Sequence, residues 1–299
     1  MAPPLLTLDN MQLTFGSTPL LEGASLAIHN SDRICLVGRN GSGKSTLLKI
    51  AAGIVEADSG ERFVKPGTTV RYLPQEPDLS AYATIGEYVR AGRTGDDQDY
   101  RLPYLLDALG LSGEEPTQHL SGGEARRAAL VRTLAPEPDI LMLDEPTNHL
   151  DLPAIEWLES ELSGMSSAIV LISHDRRFLE SLSKRTIWMD RGETRDLDKS
   201  FAHFEDWRDN FIEQEELDRH KLKRKIVREQ HWVVHGVSGR RKRNVRRLKD
   251  LSNLRQQVKS QRNVKGDVNF TATDANTSGK VVAKLENVSK RFGDRVIID

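Results

Sequence analysis

The sequence predicts an α/β domain built on a parallel sheet, followed by a basic antiparallel helical hairpin. Over residues 1–200, short apolar runs typical of buried strands alternate with helix-like segments, with turn residues between them. Two of these apolar runs end in polar motifs, one rich in glycine and one with two adjacent carboxylates. From about residue 201 the alternation stops and a helical apolar period begins, so we place a domain boundary there.

The composition indicates a soluble, cytoplasmic protein. The single cysteine, Cys35, lies in the apolar run RICLVG and is expected to be a buried strand thiol, so no disulfide forms within the chain. No stretch approaches the roughly 20 apolar residues of a membrane span. The first ten residues lack the basic region and the long apolar core of a secretory signal.

The glycine-rich motif GRNGSGKST follows the strand RICLV and precedes the helical segment STLLKIAAG. It fits G-x-x-x-x-G-K-[ST], in which backbone N–H groups wrap phosphate oxygens and the helix N-terminus adds positive potential. We expect Lys44 to reach the β- and γ-phosphates and the Ser45 hydroxyl to ligate Mg²⁺. The candidate phosphate-binding residues are Gly38, Arg39, Asn40, Gly41, Ser42, Gly43, Lys44, Ser45 and Thr46.

The motif LSGGE begins a helix, because Ser121 and Glu124 have the spacing of a capping box. Two glycines at this helix start expose backbone N–H groups and make a second candidate anion site. Capping alone would also explain the pattern, and the motif can serve the same phosphates only where folding brings it to them. The candidate residues are Leu120, Ser121, Gly122, Gly123 and Glu124.

A second buried strand in DILMLDEPT brings two carboxylates to its C-terminal end. Asp144 is expected to hold Mg²⁺, usually through water. Glu145 is placed to orient or deprotonate an attacking water. An acidic pair that simply caps a strand is the alternative, but the phosphate-binding motif upstream favours a catalytic carboxylate.

Residues 201–263 predict two helices joined at HGVSGR, where Gly236 and Gly239 break the helical pattern. In the first arm the three- and four-residue apolar period falls on Phe201, Phe204, Trp207 and Phe211. In the second arm the same period falls on Val245, Leu248, Leu251, Leu254 and Val258. Two such arms joined by a short turn indicate an antiparallel hairpin.

The hairpin region is strongly basic. Between Arg219 and Lys265 there are 17 Lys and Arg against two Asp and Glu, while the whole chain has a net charge of −1. A one-signed block of this length favours polyanion binding over a merely solvated helical face. The candidate nucleic-acid contacts are Arg240, Arg241, Lys242, Arg243, Arg246 and Arg247.

The end of the chain repeats its beginning. The segment KLENVSKRFGDRVIID aligns with TLDNMQLTFGSTPLLE at one constant offset, with identities at Leu8/Leu285, Asn10/Asn287, Phe15/Phe292 and Gly16/Gly293. Residues 264–280 are polar and rich in Gly and Thr, which predicts a flexible linker. Residues 281–299 then predict the start of a second, truncated domain of the first kind.

Together the motifs of residues 5–200 resemble those of the ATP-binding-cassette (ABC) ATPases. GRNGSGKST is similar to Walker A, LSGGE to the signature motif, ILMLDEP to Walker B, and Thr147–Asp151 to the D-loop. The resemblance implies a P-loop ABC ATPase domain at residues 1–200, with a helical subdomain at about residues 77–135. It also implies ATP and Mg²⁺ as cofactors, so the phosphate-binding residues above become ATP-binding residues.

The resemblance assigns three residues that the pattern alone would not. Gln75 in YLPQE corresponds to the Q-loop sensor of the γ-phosphate and Mg²⁺, and His174 in LISHDRRFL to the switch histidine at the γ-phosphate. Phe15 in LTFG corresponds to the aromatic that stacks on adenine. The implied catalytic residues are Glu145, His174 and Gln75, and the implied Mg²⁺ ligands are Ser45, Gln75 and Asp144.

The motifs DEPTNHLD and SHDRRFL resemble the ABC-F branch, and the linker REQHWVVHGVSGRRKRNVRRLKDL is similar to that of its Uup-like type. The resemblance implies two cassettes in one chain, no membrane domain, and association with translation, the linker reaching from the ribosomal exit site toward peptidyl-tRNA. Uup-like members are also associated with DNA binding through a C-terminal coiled coil.

In such cassettes the signature helix faces the P-loop of a partner, so that each ATP is sandwiched. We therefore expect this sequence to be a fragment, completed by a second cassette; the alternative is that two copies of it dimerise. Three other functions remain open: a DNA-binding or DNA-repair ATPase, the ATPase subunit of a transporter, and a nucleotide-dependent interaction module without turnover.

Overall fold

The computed structural model describes residues 3–92, 101–235, 249, 251–254, 290–292 and 295–298. The chain divides into two compact units, Met1–Gln261 and Arg262–Asp299. The first unit is a mixed α/β structure, and the predicted fold class is confirmed. The linker segment 264–280 and the predicted turn HGVSGR lie outside the described residues.

The described residues of the first unit form two sheets. Its strands are β1 (Leu6–Phe15), β2 (Thr18–Ile28), β3 (Arg33–Gly38), β4 (Ser59–Val64), β5 (Val70–Leu73), β6 (Ile140–Asp144), β7 (Ala168–Ile172), β8 (Arg185–Asp190) and β9 (Glu193–Leu197). Its helices are α1 (Lys44–Ala51), α2 (Ile85–Arg90), α3 (Arg101–Ala108), α4 (Gly122–Leu134), α5 (Leu152–Gly164), α6 (Arg176–Leu182) and α7 (Phe204–His235).

The larger sheet has the strand order β5-β6-β7-β3-β8-β9, parallel except for the antiparallel edge strand β9. Every residue of β6 and β7 is buried, as expected for parallel strands with both faces covered. The smaller sheet is antiparallel, with the order β2-β1-β4. Cys35 lies on central strand β3 and is fully buried, so the expectation of a buried thiol is confirmed.

This strand order gathers the predicted motifs. Strand β3 leads into the glycine-rich turn, β6 ends at Asp144, and β7 is followed by His174. These three strands are neighbours and parallel, so their C-terminal ends meet at one edge of the sheet. A ligand site at this edge follows directly from the topology.

Helices α2, α3 and α4 lie where the helical subdomain is predicted. They share a hydrophobic core whose fully buried members include Ile85, Leu105 and Val131. Arg132 of α4 stacks over the rings of Tyr82 and Tyr88, at 5.3 and 4.4 Å from their centroids. The long helix α4 therefore carries its N-terminal signature motif on a well-packed base.

Helix α7, 32 residues long, is the first arm of the predicted hairpin. It begins after a short 3₁₀ helix, Phe201–His203, and packs on Trp188 of β8. Ring centroids of Trp188 lie 6.2, 5.9 and 5.7 Å from those of Phe204, Trp207 and Phe211. Arg191 donates to both carboxylate oxygens of Glu215 at 2.8 Å. Phe204, Trp207 and Phe211 therefore share one packed face of α7, and Phe201, the fourth residue of the predicted period, lies in the 3₁₀ helix before it.

The second arm is described only at residues 249 and 251–254, which are helical, with Leu251 buried. Val245, Leu248 and Val258 lie outside the described residues, as do the six candidate nucleic-acid contacts from Arg240 to Arg247. The hairpin and its basic turn therefore stay predictions.

The second unit contains β10 (Lys290–Phe292) and β11 (Arg295–Ile298), which pair antiparallel. Phe292 pairs with Arg295, as Phe15 pairs with Thr18 in the first unit. One pair further on, both hairpins have a register shift, between Leu13 and Thr14 and between Lys290 and Arg291. The sequence repeat thus extends to the pairing of the backbone.

Candidate functional site

The glycine-rich turn connects β3 to α1 in the conformation that its glycines predict. A Cβ on Gly38 would collide with the carbonyl oxygen of Met189 on the neighbouring strand β8. The close approach of these two backbone segments therefore requires glycine. Gly43 precedes the first residue of α1 with a φ of 99°, in the left-handed region that favours glycine. The turn therefore ends directly at a helix N-terminus, where backbone N–H groups are free to bind anions.

Lys44 folds back over this turn. Its Nζ donates to the carbonyl oxygens of Gly38 at 2.8 Å and Arg39 at 3.1 Å. Burial lowers the pKa of Lys44, and the nearby carboxylates of Glu145 and Asp144 oppose that effect. A partly desolvated ammonium held among carbonyls is well placed to take a phosphate oxygen as its charged partner.

Asp144 lies at the end of β6 and is 1% exposed. Its Oδ2 accepts a hydrogen bond from the hydroxyl of Tyr72 at 3.0 Å, whereas its Oδ1 has no hydrogen-bond partner within the described residues. A buried oxygen left without a donor is costly unless a cation or water meets it. Together with the Ser45 hydroxyl at the start of α1, this oxygen fits the all-oxygen ligand set of Mg²⁺.

Glu145 follows in a left-handed conformation with a φ of 52°, which is rare for a residue other than glycine. Its backbone N–H donates to the carbonyl of Ile172 at 2.9 Å. Its Oε2 accepts the backbone N–H of His174 at 3.2 Å, and its Oε1 lies 3.4 Å from His174 Nε2. Burial raises the pKa of Glu145, which strengthens it as a base.

The structure thus brings together Lys44, Asp144, Glu145 and His174, as the motifs predict. The imidazole of His174 is 66% exposed, so it can reach a ligand at this edge. The side chain of Gln75 is also exposed, close in sequence to Tyr72, which touches Asp144. Among the remaining residues of the turn, Arg39, Asn40 and Gly41 are exposed and Ser42, Ser45 and Thr46 are half-buried.

The signature motif begins α4, and its capping box is confirmed. The side chain of Ser121 accepts from the backbone N–H of Glu124 at 3.2 Å, and Glu124 Oε2 accepts from the backbone N–H of Ser121 at 2.8 Å. Ser121 and Gly122 are exposed, Leu120 is half-buried, and Gly123 lies against the D-loop, where a Cβ would be 3.1 Å from the carbonyl oxygen of His149. The N-terminus of α4 is therefore accessible to a ligand from outside the chain.

Phe15 is the last residue of β1 and is 61% exposed. So large an exposed aromatic next to a turn is available for stacking on a planar ligand. Its role as the adenine contact stays a prediction.

Two side chains that contact the candidate site escaped the sequence patterns. Tyr72 holds the carboxylate of Asp144, and Arg126 holds the backbone of the same turn, its Nη2 donating to the carbonyls of Asp144 and Glu145 at 2.6 Å each. A signal for Arg126 was present, because it lies four and eight residues before Leu130 and Leu134 on the buried face of α4.

The fold and the site together define an ATP-binding-cassette ATPase domain. The family model described as "ABC transporter" matches residues 21–148. The solved "Structure of ATP binding subunit of ABC transporter" has a TM-score of 0.59 at 23% identity, covering 65% of this chain and 90% of that one. At this identity the likeness concerns the fold alone.

Curated relatives give the branch. The ATP-binding protein Uup of Caulobacter vibrioides is 44% identical over 99% of this chain and 48% of the relative. Uup of Escherichia coli is 30% identical over 98% of this chain and 52% of the relative. The energy-dependent translational throttle protein EttA of Haemophilus influenzae is 31% identical over 94% of this chain and 58% of the relative. The chain belongs to the ABC-F ATPases and is Uup-like, as its motifs predict.

The chain spans about half the length of the curated relatives that it matches. Among the described residues, no helix combines the length and the apolar character that crossing a membrane requires.

Proposed function

We propose that this chain binds MgATP and contributes to ATP hydrolysis at a site completed by a second cassette. The observation that carries the proposal is the buried turn at the sheet edge, where Asp144 offers an unpaired oxygen and Glu145 is a desolvated base. Asp144 and Glu145 lie at the same edge of the larger sheet as the glycine-rich turn and Lys44. The family membership supports the same conclusion.

In this proposal the turn from Gly38 to Thr46 binds the triphosphate and Lys44 carries the charge directed at it. Mg²⁺ would be held by Ser45 and Asp144, with Gln75 as a further ligand, and when bound it neutralises phosphate charge. Glu145 accepts a proton from the attacking water, and His174 keeps the carboxylate in place. Phe15 stacks on the adenine.

In this proposal a second cassette is needed because the signature motif at the start of α4 is exposed, whereas Asp144 and Glu145 are buried. The backbone N–H groups of the signature motif would close over the γ-phosphate of a nucleotide held by a partner. The partner is a second cassette in a longer chain or a second copy of this one.

We further propose that this ATPase acts on the ribosome through its basic linker. One curated relative is named a translational throttle protein. The exposed residues of α7 include a cationic group that precedes the predicted basic turn in the sequence: Lys221, Lys223, Arg224, Lys225 and Arg228. Phosphate-rich RNA is the partner that such a charge distribution fits. The same charges would also suit DNA, which is the second candidate partner.

The test is co-sedimentation of the Glu145→Gln variant with ribosomes in the presence of ATP. We expect ATP-dependent association, which Lys44→Ala should abolish by preventing nucleotide binding. Changing Arg240, Arg241, Arg243, Arg246 and Arg247 to Glu should also abolish it, while ATP still binds. Duplex DNA at matched salt is the control. Binding to DNA but not to ribosomes would identify DNA as the partner. Binding to neither would indicate that the linker is only a spacer.

A further inference from the structure

Arg126 makes an unusual set of contacts for a charged residue. It is 1% exposed, and its described hydrogen bonds all go to backbone carbonyl oxygens. Nη2 donates to the carbonyls of Asp144 and Glu145, and Nη1 donates to those of Pro74 and, at 3.2 Å, Gln75. One guanidinium therefore joins three segments that are far apart in the sequence.

The forked shape of the guanidinium explains why arginine occupies this position. Two separate nitrogens each reach a pair of consecutive carbonyls, which a single ammonium could not do in a fixed geometry. At the Asp144–Glu145 turn both carbonyls converge on one nitrogen, and Glu145 lies there in its left-handed conformation. The contact thus stabilises the uncommon backbone that aims the Glu145 carboxylate.

The charge of Arg126 is also matched to this place. Burial lowers its pKa to about 10, so it stays protonated at neutral pH. The carboxylates of Asp144 and Glu145 favour that charge, and no carboxylate bonds it directly among the described residues. A buried cation that bonds only to carbonyls is costly to maintain, which argues for a purpose beyond packing.

Resting on the function proposed above, we propose that Arg126 is a positioning residue that couples the two half-sites of one cassette. It ties the catalytic turn and the Pro74–Gln75 segment, which serve the chain's own nucleotide, to α4, which offers its N-terminus to a partner's nucleotide. ATP bound at the P-loop would therefore shift α4 through this clamp.

The experiment measures hydrogen exchange by mass spectrometry in the full chain carrying Glu145→Gln, with and without ATP. Arg126→Met is the test variant, because methionine keeps length and removes the donors. Arg33→Met is the matched control: Arg33 is also buried and donates to backbone carbonyls, those of Ser167 and Met165, at the opposite end of β3. Binding of a fluorescent ATP analogue is recorded for each protein.

The parent is the chain that carries only Glu145→Gln. We expect ATP to change hydrogen exchange at residues 118–128 in the parent and in Arg33→Met, but not in Arg126→Met, although all three proteins bind the analogue. Without ATP, residues 70–80 and 140–150 should exchange about tenfold faster in Arg126→Met than in the control. Arg126→Lys, which keeps the charge but loses the fork, should protect one of these two segments and not both.

An ATP response at residues 118–128 that survives in Arg126→Met, or that Arg33→Met also loses, overturns the coupling. So does a parent that binds the analogue without any such response. If Arg126→Met does not fold, Arg126→Lys decides, and parent-like exchange in both segments contradicts the clamp. Failure of the parent to bind ATP at all would contradict the proposed function, while exchange without ATP would still test the clamp.

Discussion

Two parts of the proposed nucleotide site differ in how completely this chain holds them. The turn with Asp144 and Glu145 is buried, and Arg126 and Tyr72 bond to its backbone and side chain. The signature motif at the N-terminus of α4 is exposed at Ser121, and its capping-box hydrogen bonds join only Ser121 and Glu124. The difference teaches that one cassette preorganises its carboxylates alone, whereas in the proposed function its signature binds an anion only when a second cassette presents a nucleotide to it.

The largest effect should come from the buried turn with Asp144 and Glu145. With a second cassette supplied in the same polypeptide, Glu145→Gln should lower ATP turnover by about 10²–10⁴ while ATP stays bound, because it removes the base and leaves the P-loop intact. Lys44→Ala should instead abolish productive ATP binding. Analogue fluorescence and phosphate release measure the two steps. An equal loss of binding in both variants would contradict the separate roles.

The next largest effect should come from the exposed signature motif. This chain alone should bind ATP but turn it over slowly, and joining a second cassette should raise the rate by about 10²–10³, since preorganised donors close over the γ-phosphate. Ser121→Arg should remove much of that gain and change little in the chain alone. Phosphate release across a range of protein concentrations is the measurement.

If the chain alone already hydrolyses ATP at the joined rate, independently of its own concentration, the exposed signature has no such role. A rate that rises with concentration would mean that two copies supply signatures to each other.

The smallest effect should come from Tyr72→Phe, which removes one hydrogen bond to the Asp144 carboxylate and little else. Groups that orient a metal ligand commonly change metal affinity by about tenfold, so the Mg²⁺ concentration needed for half-maximal turnover should rise by about that factor. Tyr104→Phe is the matched control, because Tyr104 lies half exposed on α3 and its hydroxyl donates to Glu161 at 3.4 Å instead of to Asp144. An unchanged Mg²⁺ requirement would show that Asp144 is held well enough without Tyr72.

The parts of the site that could be predicted are those formed by contiguous residues. Gly38–Lys44 and Asp144–Glu145 each combine an apolar strand, a turn and the functional groups within a few positions, so local patterns suffice. Tyr72 and Arg126 could not be predicted in the same way. Their contacts with Asp144 span 72 and 18 residues of sequence and exist only because β5 pairs with β6 and α4 packs over the sheet.

The fold shows the same limit. The α/β alternation, the capping box at Ser121 and the aromatic face of α7 follow from periodicity and turn chemistry. The aromatic period of α7 predicts a buried face but not its partner. That partner, Trp188, is set by the position of β8 in the sheet.

The attachment of α7 has a mechanical consequence. The rings around Trp188 and the ion pair between Arg191 and Glu215 join the base of the helix to the edge of the sheet. Beyond Glu215 the helix continues for 20 residues to His235, a length of about 30 Å. It is therefore a lever arm, and a rotation of the domain by about 10° would carry its far end through about 5 Å.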